Sequence, residues 1–357
     1  MSRLDSLDWL RGLLALSIMI YHLVGWTLYQ PDAGELLGRL GIYGVSMFFI
    51  LSGLAIASSC ADGMADARAV LVFFVRRVFR IWPLLWLAVI VVMLGDVLLK
   101  GSSVNWSLFF LNITAAFGFV DPGAYVNTGA WSIGNEVVYY AMTPVILVAF
   151  NRGRSFGVGV ILLAACLAAV FAFVELSPAA TLATQWQVYI NPFNNLFLYS
   201  AGVAIYYGAS QRALNPVTCL LLLLVGGAVF AFFPAHGDLV VLVTGINRLI
   251  FCVASMLVVL SFYKLDVRLP GWMSSCLTTL GAATYGVYLL HPIVFSVIKL
   301  LAQRGGISLG PVQMIVFTMA VTILVAVFLY ENFERPLIRL GKRLTQLPSV
   351  GLKGARR

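Results

Sequence analysis

Ten stretches of the chain are apolar with few charges, at about residues 10–30, 39–58, 81–99, 131–150, 156–175, 192–209, 215–234, 240–262, 277–300 and 311–330. An α-helix needs roughly 20 mostly apolar residues to cross a hydrocarbon core, so each stretch predicts a transmembrane helix. The stretch 104–119 is also apolar, but it is short and interrupted by polar residues, which predicts an interfacial or re-entrant piece. Residues 336–357 form a basic tail, which leaves 1–335 as one transmembrane domain. The expected fold class is all-α: a polytopic membrane protein with about ten helices.

Ten spans place both termini on one side. Of the 23 Lys and Arg residues, 18 fall on that side and 4 on the other, and Arg248 lies inside a run. Lys and Arg accumulate in cytoplasmic loops, so both termini are expected in the cytoplasm. The site expected on this reading is the bacterial inner membrane. No connection is long enough to hold a separate soluble domain, so any chemistry sits within the membrane or at its edge.

Composition sharpens this. Hydrophobic residues make up 61% of the 357 positions and charged residues 10%. Soluble domains are about 25% charged, so a soluble enzyme, a disordered chain and a fibre are excluded. The net charge of +9 does not read as a nucleic-acid surface, because the basic residues sit in short loops between apolar runs. Five scattered cysteines, without a Cys-x-x-Cys pair, indicate neither a disulfide framework nor a metal site. The N-terminus lacks a small-residue cleavage site after a short apolar stretch, so the first run is expected to be retained.

Ionisable side chains inside a bilayer are costly and need a reason. Arg11 and His22 are 11 positions apart, which places them on nearly the same helix face with Arg11 towards the cytoplasm and His22 near mid-membrane. This pair reads as an anion-binding arginine at a mouth and a proton-handling histidine within, or else as a snorkelling Arg and a His bonded to a neighbouring helix. Arg77 and Arg80 present two guanidiniums three residues apart, which suits a phosphate or pyrophosphate, although ordinary topology-setting charge also accounts for them. Ser132, Glu136 and Tyr140 fall on one face of the fourth run, and a membrane carboxylate is functional by default. Thr284, Tyr288 and His291 form a stripe in the ninth run, where His291 would relay protons, hold an acceptor sugar, or serve only as a hydrogen-bonded core residue before Pro292. His236, in a short outer loop, has no expected role, and Arg248 is expected to pair with a carboxylate such as Glu136 or Asp96.

Taken in order, these segments resemble the acyltransferase 3 family of membrane acyltransferases, over nearly the whole chain. The resemblance rests on Leu7-Asp8-Trp9-Leu10-Arg11-Gly12 followed by His22, and on Phe48-Phe49-Ile50-Leu51-Ser52-Gly53. It continues through the Arg77 and Arg80 pair before Trp82-Pro83, Trp131-Ser132 with Glu136 and Tyr140, Leu280-Gly281 through Tyr285, Tyr288 and His291, and Glu334-Arg335-Pro336. Two departures are Thr284, where the family usually has Ser, and Val137, where a polar residue is common. The extracytoplasmic esterase-like domain that some members carry is not expected here, so a second transfer step would be expected to need another protein.

The resemblance implies transfer of an acyl group, most often acetyl, from cytoplasmic acyl-CoA to a hydroxyl of a sugar or glycolipid. Acyl-CoA would be a co-substrate, with no permanently bound cofactor and no metal, and with the lipid bilayer as the other partner. Arg11, Arg77 and Arg80 would hold the phosphates of coenzyme A. His22, with an unperturbed pKa of about 6.5, would be a general base or a transient acyl carrier, and Glu136 would join it. Ser132, Tyr140, Tyr288 and His291 would bind the acceptor or pass protons. Backbone and hydroxyl groups of 48–53 would line the channel or steady an oxyanion. The competing reading is a proton-coupled exporter of a glycan or lipid-linked intermediate, which also needs membrane His and Glu but shows no repeated halves here. A membrane glycosyltransferase is weaker still, because the outer loops carry few carboxylates.

Overall fold

The computed structural model describes residues 5–60, 64, 66–267 and 269–346. The described residues form helices and no strand. The first three are α1 (Asp5–Thr27), α2 (Leu36–Cys60) and α3 (Ala67–Lys100), followed by the short α4 (Trp106–Ile113) and α5 (Phe117–Val120). Next come α6 (Ala130–Arg152), α7 (Arg154–Val170), the single-turn α8 (Trp186–Tyr189), α9 (Pro192–Ala209) and α10 (Pro216–Phe232). The chain continues through α11 (Val240–Val243), α12 (Gly245–Lys264), α13 (Gly271–Ala282), α14 (Thr284–Arg304), α15 (Pro311–Leu329) and α16 (Arg335–Gln346). π-helical turns at Phe171–Glu175 and Tyr330–Glu334 extend α7 and join α15 to α16.

Each of the ten apolar runs falls on helix. Eight helical stretches are long and apolar enough to cross a membrane. The sixth and seventh runs become α9 and α10, which have 18 and 17 residues and do not meet that measure. The ninth run is not continuous: the helix breaks at Ala283 between α13 and α14. The third run starts earlier than its apolar content indicates, because the Asp66 side chain caps the Ala69 N–H and starts α3 before the arginines. The piece at 104–119 is two short helices, too short to span, with Phe117 buried against Gly134. At the start of the basic tail, residues 335–346 are helical and pack along α3, with Gly341 against Phe79 and Arg76 Nε donating to Thr345 Oγ1 at 3.0 Å. Arg3, Arg268 and residues 347–357 lie outside the described residues.

Packing inside a bilayer has no hydrophobic drive between helices, so close backbone approach through small residues supplies it. Gly53 of α2 and Gly202 of α9 show this directly. A Cβ on Gly53 would collide with the Tyr199 carbonyl, and one on Gly202 with the Ile50 carbonyl. Gly281 of α13 meets the Asp8 carbonyl of α1 in the same way. These crossings hold α9 against α2 and α13 against α1, the two helices that carry Ser52 and Arg11. The start of α1 and the helix α16 lie at the same end of the bundle: Ser6 donates to Phe262 O at 2.7 Å, beside the end of α12, and α16 lies on the first half of α3. That is also the basic end.

Candidate active site

Two cavities lie in line through the bundle. The inner cavity, about 230 Å³, opens towards the basic end and is lined by Arg11 from α1, Ser52 from α2, Arg77 and Arg80 from α3, Ser132, Glu136 and Tyr140 from α6, and Thr284, Tyr285 and Tyr288 from α14. Ser52 Oγ donates to Glu136 Oε1 at 2.5 Å. Arg77 is held by rings rather than by a carboxylate: its guanidinium carbon lies 5.4 Å from the Phe73 centroid and 5.5 Å from the Tyr140 centroid. Arg11 Nη1 meets Asp8 Oδ1 at 3.3 Å. Among the described residues neither Arg77 nor Arg80 is in an ion pair, so their donors remain for a ligand. A further basin of about 560 Å³ shares Arg77 and Arg80 and adds Arg68, Arg76 and Lys342, with Asp66 the single carboxylate among the described residues that line it. Cationic side chains therefore line a path from the basic end into the inner cavity.

The outer cavity, about 280 Å³, is lined by His22, Tyr21, Trp26, Gln30, Trp131, Trp186, Tyr189, Asp238 and others, and it shares Val45 and Tyr288 with the inner one. Tyr288 is pinned where the cavities meet. Its hydroxyl donates to Gly129 O at 3.0 Å and accepts from Ser132 Oγ at 2.9 Å. Gly129 has φ +86°, and a Cβ there would crowd the Tyr288 ring, so glycine suits the position on both counts.

The two histidines meet. His22 Nδ1 lies 2.9 Å from His291 Nε2, and the rings stack with centroids 5.1 Å apart. His291 Nδ1 lies 3.1 Å from Val287 O. A carbonyl only accepts, so His291 carries its proton on Nδ1 and presents Nε2 as an acceptor when neutral. His22 Nδ1–H then donates to it, and His22 Nε2 is left with a free lone pair. Trp26 stacks on His22 at 8° and on His291 at 16°, holding both ring planes.

Known proteins fit this arrangement. Residues 4–331 match the family described as "Acyltransferase domain". The chain belongs to this acyltransferase family. The acyltransferase is 27% identical over 337 residues to the exopolysaccharide production protein ExoZ of Rhizobium meliloti strain 1021, covering 88% of this chain and 94% of that one. It is 25% identical over 252 residues to a Bacillus subtilis strain 168 protein, YrhL, named provisionally as a peptidoglycan O-acetyltransferase, covering 65% of this chain and 33% of that one. It is also 30% identical over 154 residues to the acyltransferase MdmB of Streptomyces mycarofaciens, covering 40% of this chain and 38% of that one. The chain thus spans about a third of the length of the Bacillus relative. No solved structure matches.

The acyltransferase gathers most of the residues singled out from sequence. Arg11, Arg77, Arg80, Ser132, Glu136, Tyr140 and Tyr288 share the inner cavity. Arg11 and His22, expected to line one polar wall, instead line different cavities. His291 lines neither: it is fully buried and lies behind His22. Among the described residues Arg248 has no carboxylate partner; it donates to Asn194 O at 2.6 Å and Val243 O at 3.4 Å and packs on Phe197. The sequence places Ser52 and Tyr285 in motifs without a partner, and Trp26 in none. The signal for Ser52 was present, since its hydroxyl interrupts the otherwise apolar stretch 47–57. Nothing in sequence marked Trp26 among eight tryptophans.

Proposed function

We propose that this membrane acyltransferase moves an acyl group, with acetyl the expected one, from acyl-CoA to a sugar hydroxyl of a cell-surface or exported glycan. The observation that carries the reading is the junction at Val45 and Tyr288, which joins a cavity approached through arginines to one holding a histidine base. The phosphates of coenzyme A match Arg11, Arg77 and Arg80, with Arg68, Arg76 and Lys342 along the approach. By the excess of basic residues at that end, acyl-CoA arrives from the cytoplasm, in a bacterial inner membrane. The glycan acceptor is supported by the printed names of the exopolysaccharide and peptidoglycan relatives.

In this reading the thioester arm extends from the inner cavity towards the junction. His22 Nε2 takes the proton of the acceptor hydroxyl, and the oxygen attacks the thioester carbonyl carbon. The new C–O bond forms, the tetrahedral centre collapses, and the C–S bond breaks. The departing coenzyme A sulfur takes the proton back from His22. His291 accepts from His22 Nδ1–H throughout, so the ring keeps its orientation as it gains charge, as the orienting group of a catalytic triad does. Glu136, bonded by Ser52, offsets the cluster of guanidiniums around the arm.

The test is acyl transfer by purified protein in nanodiscs with radiolabelled acetyl-CoA, comparing wild type with His22→Ala. Label released as acetate or moved to glycan by wild type and lost in the variant is the expected result. Full turnover by a folded His22→Ala protein overturns the assignment of the base. No binding of any acyl-CoA overturns the donor.

A further inference from the structure

The outer cavity differs sharply in charge from the inner one. Three tryptophans, Trp26, Trp131 and Trp186, form much of its wall, and its lining holds one formal charge, that of Asp238. The carboxylate is fixed in place, because Asp238 Oδ1 accepts from the Leu182 N–H at 2.7 Å and the Val240 N–H at 2.9 Å. No Lys or Arg lines the cavity. The two buried arginines in this half of the bundle are spoken for: Arg39 gives its donors to the carbonyls of Ala33, Phe230, Phe233 and Ala235, and Arg248 to those of Asn194 and Val243. Asp32 and Glu35 lie in the adjoining 28–35 loop, which is tied to the Asp238 segment by the Ala33 N–H bond to Gly237 O.

We infer that the outer cavity is the acceptor site and that it selects an uncharged pyranose ring over a uronate or a phosphorylated sugar. The inference rests on the acyl-transfer reading for the role of His22, and on the cavity walls for the selectivity. A pyranose has an apolar C–H face that lies flat on indole rings, and an edge of hydroxyls that needs donors and acceptors. The walls supply both, the second through Asp238, His22 Nε2, and the Gln30 amide, which is bonded to the Tyr21 hydroxyl at 2.8 Å. At about 280 Å³ the cavity is at the small end of ligand sites, which run from about 300 Å³ upward, and suits one ring rather than several. An anionic substituent on that ring would be stripped of water beside a fixed carboxylate, with no cation to meet it. The segregation is therefore complete: phosphates are favoured at one end of the path and disfavoured at the other.

The experiment is calorimetric binding to the full chain in nanodiscs, using neutral gluco-, galacto- and manno-configured oligosaccharides and the uronate counterpart of each. At least one neutral sugar is expected to bind roughly tenfold or more tightly than its own uronate. Asp238→Asn keeps an oxygen for both backbone donors and is expected to shrink that ratio. Gln30→Lys, at an exposed position, leaves Asp238 intact and is expected to raise uronate binding. Uronates bound as tightly as their neutral partners, or no neutral sugar bound by folded protein, overturn the inference. Neutral-selective binding without acetyl-CoA turnover keeps it and overturns the acyl-transfer reading. Turnover with a preference for uronates does the reverse.

Discussion

His22 and His291 are 269 residues apart in sequence, yet His22 Nδ1 lies 2.9 Å from His291 Nε2. Because His291 Nδ1 is committed to the Val287 carbonyl, the bond has a direction, from His22 to His291. One histidine faces the cavity, and the other holds it in the tautomer that can accept a proton from substrate.

This direction separates the two residues by experiment. A positioned general base contributes about 10²–10⁴-fold, so His22→Ala is expected to lose essentially all transfer. His291→Ala removes orientation alone and is expected to lower kcat by about 10–100-fold with little change in the acetyl-CoA KM. His291→Gln, which can place an acceptor oxygen towards His22, is expected to recover part of that loss. Steady-state kinetics at matched protein levels decide it, and a His291→Ala enzyme with unchanged kcat removes the positioning role.

The bond from Ser52 to Glu136 gives a second expectation. A hydrogen bond to a charged group is worth about 1.5–3 kcal/mol, so Ser52→Ala should slow transfer by about 10–100-fold. Glu136→Gln removes the one carboxylate among the described residues that line the inner cavity, and is expected to cost more. Combining the two should cost little beyond Glu136→Gln alone, because the serine acts through the carboxylate. Additive losses in the rate of the double variant would show that the two residues act separately.

The approach path predicts a split between donors. Arg68→Ala, Arg76→Ala and Lys342→Ala each remove a cation from the basin without touching the inner cavity. Each is expected to raise the KM for acetyl-CoA by a few-fold, at roughly 0.5–1 kcal/mol per partly exposed charge, and to leave the KM for acetyl-pantetheine, which has no nucleotide, unchanged. Arg77→Lys is expected to do more harm than its conserved charge implies, because a lysine replaces neither the fork nor the stacking on Phe73 and Tyr140. Equal KM increases for both donors would place the basin's role elsewhere.

Much of this arrangement was legible in the sequence, for a physical reason. A bilayer forces each span to be apolar, so Arg11, His22, Glu136 and His291 stand out against their surroundings. What sequence does not carry is distance across the bundle. Nothing in the segments around His22 and His291 says that the rings touch, or that Tyr288 stands between Arg11 and His22. The break at Ala283 is hidden because its flanks are as apolar as a continuous helix. Arg39 reads as a loop charge and is in fact fully buried, satisfied by carbonyls at the end of α10 that no pattern announces.

Arg248 gives the sharpest contrast between sequence expectation and structure, and a double-mutant cycle tests it. Were Arg248 paired with Glu136, removing both would cost much less than the sum of the single changes, because a buried charge would no longer be left unpaired. The structure instead commits Arg248 to the carbonyls of Asn194 and Val243, where it ties α12 to the start of α9. Arg248→Leu is therefore expected to destabilise the protein by about 1–3 kcal/mol through orphaned carbonyls, seen as a lower thermal midpoint in detergent. Glu136→Gln is expected to change that midpoint little, and the two effects should add within about 0.5 kcal/mol. A coupling well above that would restore the ion pair and with it a structural role for Glu136.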